Sequence, residues 1–357
     1  MSSGICDAKK ILEEIASMKL GNIKLMEVCG THTMAIAKSG LRSALPENIK
    51  LLSGPGCPVC VTPAEVIDAI LALAMRENII IATYGDMIKV PGSEHGKNLG
   101  TARALGARVE VVYSPLDAIE IAKENPTSEV VFLGVGFETT APGTAAAIGV
   151  ASEEGIKNFS VLSMLKTVEP ALRALIAAED FDIAGFLCPG HVATIIGEGG
   201  FEFLASEFSL PCVIGGFEPE EILVAVHKLL CQIEEENPHI ENAYPNGVRS
   251  GGNPLARKMV EKYLVPRRDI WRGLGEIEES GLGIREEYAE YDAERKFNII
   301  YVKSEKVTPC RCGEVICGKM TPRECPLFGR ACVPENPVGP CMVSSEGACA
   351  AAYKYSE

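Results

Sequence analysis

The sequence predicts an α/β protein: two related, mostly parallel α/β lobes followed by a loop-rich, cysteine-rich C-terminal domain. Three observations lead there. From Lys24 to Leu230, short apolar strands alternate with glycine-rich turns and amphipathic helices, the pattern of parallel sheets covered by helices. After Glu234 that pattern stops, and EEENPHIENAYPNGVRSGGN is polar and turn-rich. The chain has 14 cysteines, and those at 310, 312, 317, 325, 332, 341 and 349 crowd into its last stretch.

The strand expectations, in order, are Ile23–Val28, Ile49–Leu52, Ile79–Thr83, Arg108–Val112, Val130–Gly134, Phe159–Ser163, Ile183–Leu187 and Pro211–Ile214. Each is a short run rich in branched apolar residues, as buried parallel strands are. Amphipathic or apolar helices follow most of them, among them Pro63–Arg76 and Glu169–Ala178, and another is expected over Pro254–Tyr263. The N-terminal MSSGICDAKKILEEIASMKLG reads as the start of an amphipathic helix with no apolar core of a secretory leader. The stretches 49–71 and 210–230 both read strand, glycine turn and Pro-acid helix entry, which suggests a duplicated lobe with a boundary near KENPTS, 123–128. The expected domains are therefore 1–125 with Cys29 and the Cys57/Cys60 loop, 126–235 with the GFETT and PGHV loops, and 236–357 ending in a metal-binding tail. Residues 276–294 hold eight carboxylates against one arginine and are expected to form a solvated face.

A length of 357 residues suits two or three domains of roughly 100–200 residues. Such a chain buries a full core without disulfide staples. With 34 Lys and Arg against 48 Asp and Glu, the formal charge is −14. That field disfavours non-specific nucleic-acid binding. No apolar run approaches the ~20 residues of a membrane-spanning helix, so no membrane partner is expected and the reading is a soluble, cytoplasmic protein. In that reducing setting, abundant cysteine points to metal or redox chemistry.

Several strand-end turns carry chemistry. In SGPGCPVCVTPAEV, Cys57 and Cys60 form a C-x-x-C pair, and Thr62, Pro63 and Glu65 are expected to cap the following helix. Paired thiols before a helix N-terminus favour thiolate, for disulfide exchange or soft-metal ligation; two small buried apolar residues are the simpler alternative. Cys29 and His32 of MEVCGTHTM close the first strand, fit either for a transition metal or for a nucleophile–base pair. Glu138 of GFETTAPG and Cys188 with His191 of FLCPGHV occupy two further strand ends, and a shared cleft is expected to gather them. Gly134 and Gly136 lack the third glycine of a dinucleotide fingerprint, and no P-loop occurs. The loop TYGDMIKVPGS adds Asp86 and Lys89. In the C-terminal tail no paired C-x-x-C knuckles suggest zinc; the number and wide spacing of the thiols favour an iron–sulfur cluster instead. Spacing alone does not choose its four ligands.

Taken in order, EVCGTH (27–32), GPGCPVC (54–60), GFETTAPG (136–143), PGHV (189–192), GGFEP (215–219) and CMVSSEGAC (341–349) resemble the HypD family of hydrogenase maturation factors over nearly the whole chain. The resemblance implies a [4Fe-4S] cluster on the pattern C-x14-C-x6-C-x16-C, here Cys310, Cys325, Cys332 and Cys349. It implies a mononuclear iron at Cys29, carrying CN and CO ligands, and a redox pair at Cys57 and Cys60. It also implies a HypC-type small partner sharing that iron and a HypE-type partner delivering cyanide as a thiocyanate. His191 and Glu138 would line the cleft, with His32 a further polar candidate. Met34 stands where relatives are expected to have a histidine, so that position cannot assist iron binding here. The competing readings are a free-standing [4Fe-4S] dithiol reductase of the ferredoxin–thioredoxin reductase kind, which needs no iron at Cys29, and a zinc scaffold.

Overall fold

Apolar runs bounded by turns fix the strands, and a computed structural model describes their assembly over residues 8–302 and 308–355. All eight expected strands form, their ends within two residues: β1 Ile23–Glu27, β2 Ile49–Ser53, β3 Ile79–Thr83, β4 Arg108–Val111, β5 Glu129–Gly136, β6 Phe159–Leu165, β7 Gly185–Pro189 and β8 Cys212–Gly215. Three further strands are β9 Ile240–Asn242, β10 Leu264–Trp271 and β11 Gly275–Ile284. They make a five-stranded parallel sheet in the order β2-β1-β7-β8-β9, a four-stranded parallel sheet in the order β4-β3-β5-β6, and an antiparallel β10-β11 hairpin. The α/β architecture with two parallel sheets is as expected.

The connectivity corrects the expected division of the chain. The chain leaves the first sheet after β2, builds the whole second sheet, and returns at β7. The boundary at 125/126 therefore falls inside the second sheet, between β4 and β5. The two echoing stretches supply β2 and β8, both in the first sheet, so they do not mark separate lobes. Parallel neighbours are joined through crossovers, so order along the chain does not determine which strands pair.

The N-terminal helix, Ala8–Ser17, buries Ile11 and Ile15, while the first seven residues of the expected helix start lie outside the described residues. The acidic stretch 276–294 is only partly a solvated face. Glu276, Glu278 and Glu279 are exposed, but Ser280–Ile284 and Asp292 are buried. At the hairpin tip Trp271 is buried, stacks on Phe137 at 5.9 Å, and donates from Nε1 to Ser280 Oγ at 2.9 Å. Beneath it, buried Lys166 pairs with Asp269 at 3.0 Å and donates to the Ile270 carbonyl at 2.9 Å. Burying that ammonium is tolerable because it is paired. The C-terminal tail borrows the main core: Cys312, Ile316, Met342 and Cys349 join the same apolar cluster as Met26, Cys60 and Trp271. Among the described residues no helix is long and apolar enough to cross a membrane.

Candidate metal and redox site

Cys29 lies two residues past the end of β1 and is the N-cap of the helix Gly30–Ser39. Its thiol is pushed up to about 12, chiefly by burial, while the backbone N–H groups of His32 and Thr31 favour the thiolate and Glu346 and Glu27 oppose it. Glu27 is fully buried. It accepts from the Cys29 backbone N–H at 3.2 Å and from Thr33 Oγ1 at 2.5 Å, and burial raises it to about 7. Burial also raises Glu346, whose Oε1 accepts from Thr31 Oγ1 at 3.1 Å. Burial thus disfavours the anionic form of the Cys29 thiol and of both carboxyls, and the Arg42 guanidinium, 3.9 Å from Glu27 Oε1, offsets part of that cost at Glu27.

The loop after β2 brings the paired cysteines there. Cys57 and Cys60 are joined in a disulfide, both buried, with Cα atoms 5.2 Å apart. The pair therefore does not stand as thiolates at a helix N-terminus. Nor is the expected cap formed: the helix begins at Ala64 with Pro63 as N-cap and no side-chain cap, and Thr62 Oγ1 instead donates to the Pro58 carbonyl at 2.9 Å. The Thr62 hydroxyl is spent on closing the loop's own turn.

Two glycines make the approach of these segments possible. A Cβ on Gly56 would lie 2.3 Å from the Cys29 backbone nitrogen, and the Gly56 carbonyl accepts from the Gly30 N–H at 3.1 Å. A Cβ on Gly30 would lie 2.3 Å from Glu346 Cβ. The third segment is the strap 341–349. Its Ser344 Oγ stands 3.4 Å from Cys57 Sγ, and Asp86 Oδ2 accepts from Ser344 Oγ at 3.2 Å, Ser345 N–H at 3.0 Å and Ser345 Oγ at 3.0 Å. Asp86 is thus an anchor for the strap.

His32 and His191 both stack on Phe217, which follows β8. Ring centroids lie 4.7 Å from Phe217 to His32 and 3.8 Å from Phe217 to His191. His32 donates from Nε2 to the Gly216 carbonyl at 2.8 Å, which leaves Nδ1 a buried acceptor without a hydrogen-bond partner. Burial lowers its pKa to about 4, so it is neutral. The carboxyl ends of β1, β7 and β8 thus converge. Glu138 lies elsewhere, after β5 of the other sheet, on the wall of a cleft of about 930 Å³ shared with Thr167, Arg173, Ile196 and Arg257. Its Oε1 accepts from the Val168 N–H at 2.8 Å, Oε2 has no partner, and burial raises it to about 7. Cys188 is a buried β7 residue beside Cys212, raised well above its ordinary value by burial; packing is its evident role.

The C-terminal thiols also converge. Burial raises Cys349 well above its ordinary value, and the thiols of Cys312, Cys310, Cys332 and Cys325 raise it further. Cys332 is raised by burial, while the N–H groups of Val338 and Gly339 support its thiolate, the first at 3.4 Å. A Cβ at Gly339 would lie 2.2 Å from Cys310 Sγ, so a larger residue would have to displace this thiol. Mutually repelling buried thiols, with backbone N–H groups aimed at sulfur, fit a cationic iron–sulfur core. Cys312 and Cys341, outside the expected ligand set, touch each other. Among the described residues no three His, Cys, Asp or Glu side chains are arranged around a single ion.

Sequence reasoning missed Glu27, Phe217 and Ser344. Glu27 could have been found as a carboxylate inside an otherwise apolar strand; the other two lie within the GGFEP and CMVSSEGAC motifs, but their residue types point to no chemistry of their own. The HypD family model, described as "Hydrogenase formation hypA family", matches residues 7–356. The hydrogenase maturation factor HypD of Escherichia coli (strain K12) is 44% identical over 336 residues, 94% of this chain and 90% of that protein. Those of Rhizobium leguminosarum bv. viciae and Rhodobacter capsulatus are 41% identical over 357 residues and 42% over 356 residues; each alignment covers 98% of this chain, and 92% and 94% of those proteins.

Proposed function

Because the chain belongs to the HypD family of hydrogenase formation proteins, we propose that it is a cytoplasmic maturation factor for [NiFe]-hydrogenases that assembles the Fe(CN)2CO unit. One observation carries the reading: Cys29, the Cys57–Cys60 disulfide and the strap between Cys341 and Cys349 pack against one another through Gly30, Gly56 and Ser344. Iron is the cargo. Cys29 gives up its proton to bind it, and the N–H groups of Thr31 and His32 hold the resulting thiolate. Soft thiolate suits iron carrying cyanide and carbonyl. The remaining protein ligand comes from a HypC-type partner, and cyanide from a HypE-type partner as a thiocyanate.

Releasing that cyanide takes two electrons. The dithiolate of Cys57 and Cys60 supplies them: a thiocyanate and two thiolates give a free thiolate, a cyanide ion for the iron, and the Cys57–Cys60 disulfide. Two electrons and two protons restore the dithiol. When bound on Cys310, Cys325, Cys332 and Cys349, a [4Fe-4S] cluster supplies electrons singly. The Cys57–Cys60 pair packs on the cysteine strap through Ser344, which favours reduction from within the protein.

The test is metal content and function of anaerobically purified protein. Wild type is expected to carry four iron and four sulfide per cluster-loaded chain, lost in Cys325→Ala. Cys29→Ala should keep the cluster yet fail to hold additional iron with a HypC-type partner. Zinc without sulfide overturns the electron supply. A Cys29→Ala protein that still matures hydrogenase points instead to the free-standing dithiol reductase.

A further inference from the structure

We propose that Arg272, at the tip of the β10–β11 hairpin, is a positioning residue for electron supply: its fixed charge bears on the C-terminal thiolate centre and holds that centre's reduction potential up. The inference rests on the reading that those thiols carry an iron–sulfur cluster.

The hairpin tip is wedged between the two redox segments. On one side the Arg272 backbone N–H donates to the Val61 carbonyl at 2.8 Å, and Nε donates to the Thr62 carbonyl at 3.1 Å. Val61 and Thr62 immediately follow Cys60. On the other side Gly273, at φ +86, packs so closely on the cysteine tail that a Cβ there would lie 2.6 Å from the Gly313 carbonyl oxygen. Cys317 Sγ adds a contact to the Gly273 carbonyl at 3.6 Å. The guanidinium is thereby held between the disulfide loop and the tail. Its Nη2 is buried and has no hydrogen-bond partner, and none of the ion pairs among the described residues includes Arg272. A buried, unpaired guanidinium nitrogen is costly, and the tail segment packed against this turn carries Cys312, next to Gly313, and Cys317.

The electrostatic consequence has a definite sign. A one-electron reduction adds a negative charge to the thiolate centre with no bond made or broken. A nearby cation stabilises the reduced state more than the oxidised one, so the potential rises; net charge around such clusters is a principal determinant of their potentials. Removing the cation should lower the potential and make the centre harder to reduce.

The experiment is an anaerobic redox titration of the full-length protein, with dithionite as reductant and small mediators, followed by electron paramagnetic resonance. Iron and acid-labile sulfide are counted on the same samples. Arg272→Met and Arg272→Gln should keep the cluster and titrate at lower potential than wild type, with Arg272→Lys returning toward it. Arg272→Gln keeps a donor for Thr62 without the charge, which separates charge from packing. An unchanged potential in both neutral variants with a full cluster overturns the proposal, as does a lysine variant that falls as far as they do. Should both neutral variants fail to assemble a cluster, a normal cluster in Arg272→Lys supports the role of charge, and its loss there overturns it. Wild-type protein without iron and sulfide would instead sink the cluster reading itself.

Discussion

At the scale of the residue, the unusual groups are buried carboxyls. Glu138 has an ordinary pKa of 4.5 and is raised to about 7 by burial, with one oxygen bound to the Val168 N–H and the other unpartnered. Its folded pKa exceeds its unfolded one, so its contribution is fully present below pH 4.5 and is lost as pH rises to about 7. The loss is at most about 3 kcal/mol by linkage. Glu138→Gln removes the titration. Thermal unfolding should therefore show the Gln variant gaining on wild type between pH 5 and pH 8, and a pH-independent gap would refute the assignment. Asp86 is the second residue with a clear consequence, since its carboxylate takes three hydrogen bonds from Ser344 and Ser345. Hydrogen bonds to a charged acceptor are worth about 1.5–3 kcal/mol. Asp86→Ala should speed amide exchange at 344–346 with smaller effects on β3; uniform acceleration would mean the anchor is global instead.

At the scale of the element, the site is a meeting of turns rather than of helices or strands. The β2 loop reaches Cys29 only because Gly56 presents no side chain to the Cys29 backbone. That clash is backbone against Cβ, so no rotamer change relieves it. Gly56→Ala should cost about 2 kcal/mol or more in urea unfolding and weaken the iron binding proposed for Cys29. Wild-type stability in that variant would show that the loop has room to move. The GPGCPVC and CGTH motifs thus announce chemistry through their cysteines, while their glycines set the geometry. The hairpin is the element the sequence hid best. VPRRDIW and GEIEESGLGI carry too many charges to look like buried strands, yet Lys166, Asp269 and Arg267 pair their charges locally: Lys166 with Asp269 at 3.0 Å and Arg267 with Glu294 at 2.8 Å.

At the scale of the whole molecule, the C-terminal tail closes the core as well as carrying cysteines. Ile316, Met342, Cys341 and Cys312 are all but inaccessible and join one apolar cluster with residues from the helices and strands of both sheets. Burying each large apolar side chain is worth about 1.5–3 kcal/mol, against a net stability of roughly 5–15 kcal/mol for a domain. A chain ending at Val302 should therefore lack a cooperative thermal transition. A sharp transition close to that of the full chain would show the tail to be an accessory.

Eight of the strands, the α/β class and the family were determined by the sequence alone, because apolar runs, turn residues and ordered motifs are local properties. Cys29, Cys57, Cys60 and the C-terminal thiols were all legible as chemical groups. The pairing of strands was not, because a parallel sheet is joined through crossovers and the chain inserts four strands between β2 and β7. Tertiary structure also decided which strand ends meet. It stacked both His32 and His191 on Phe217, placed Glu138 in a separate cleft, and wedged the turn at Arg272 and Gly273 between the disulfide loop and the cysteine tail. Those relations join residues up to hundreds of positions apart, and only the packing of whole elements brings them together.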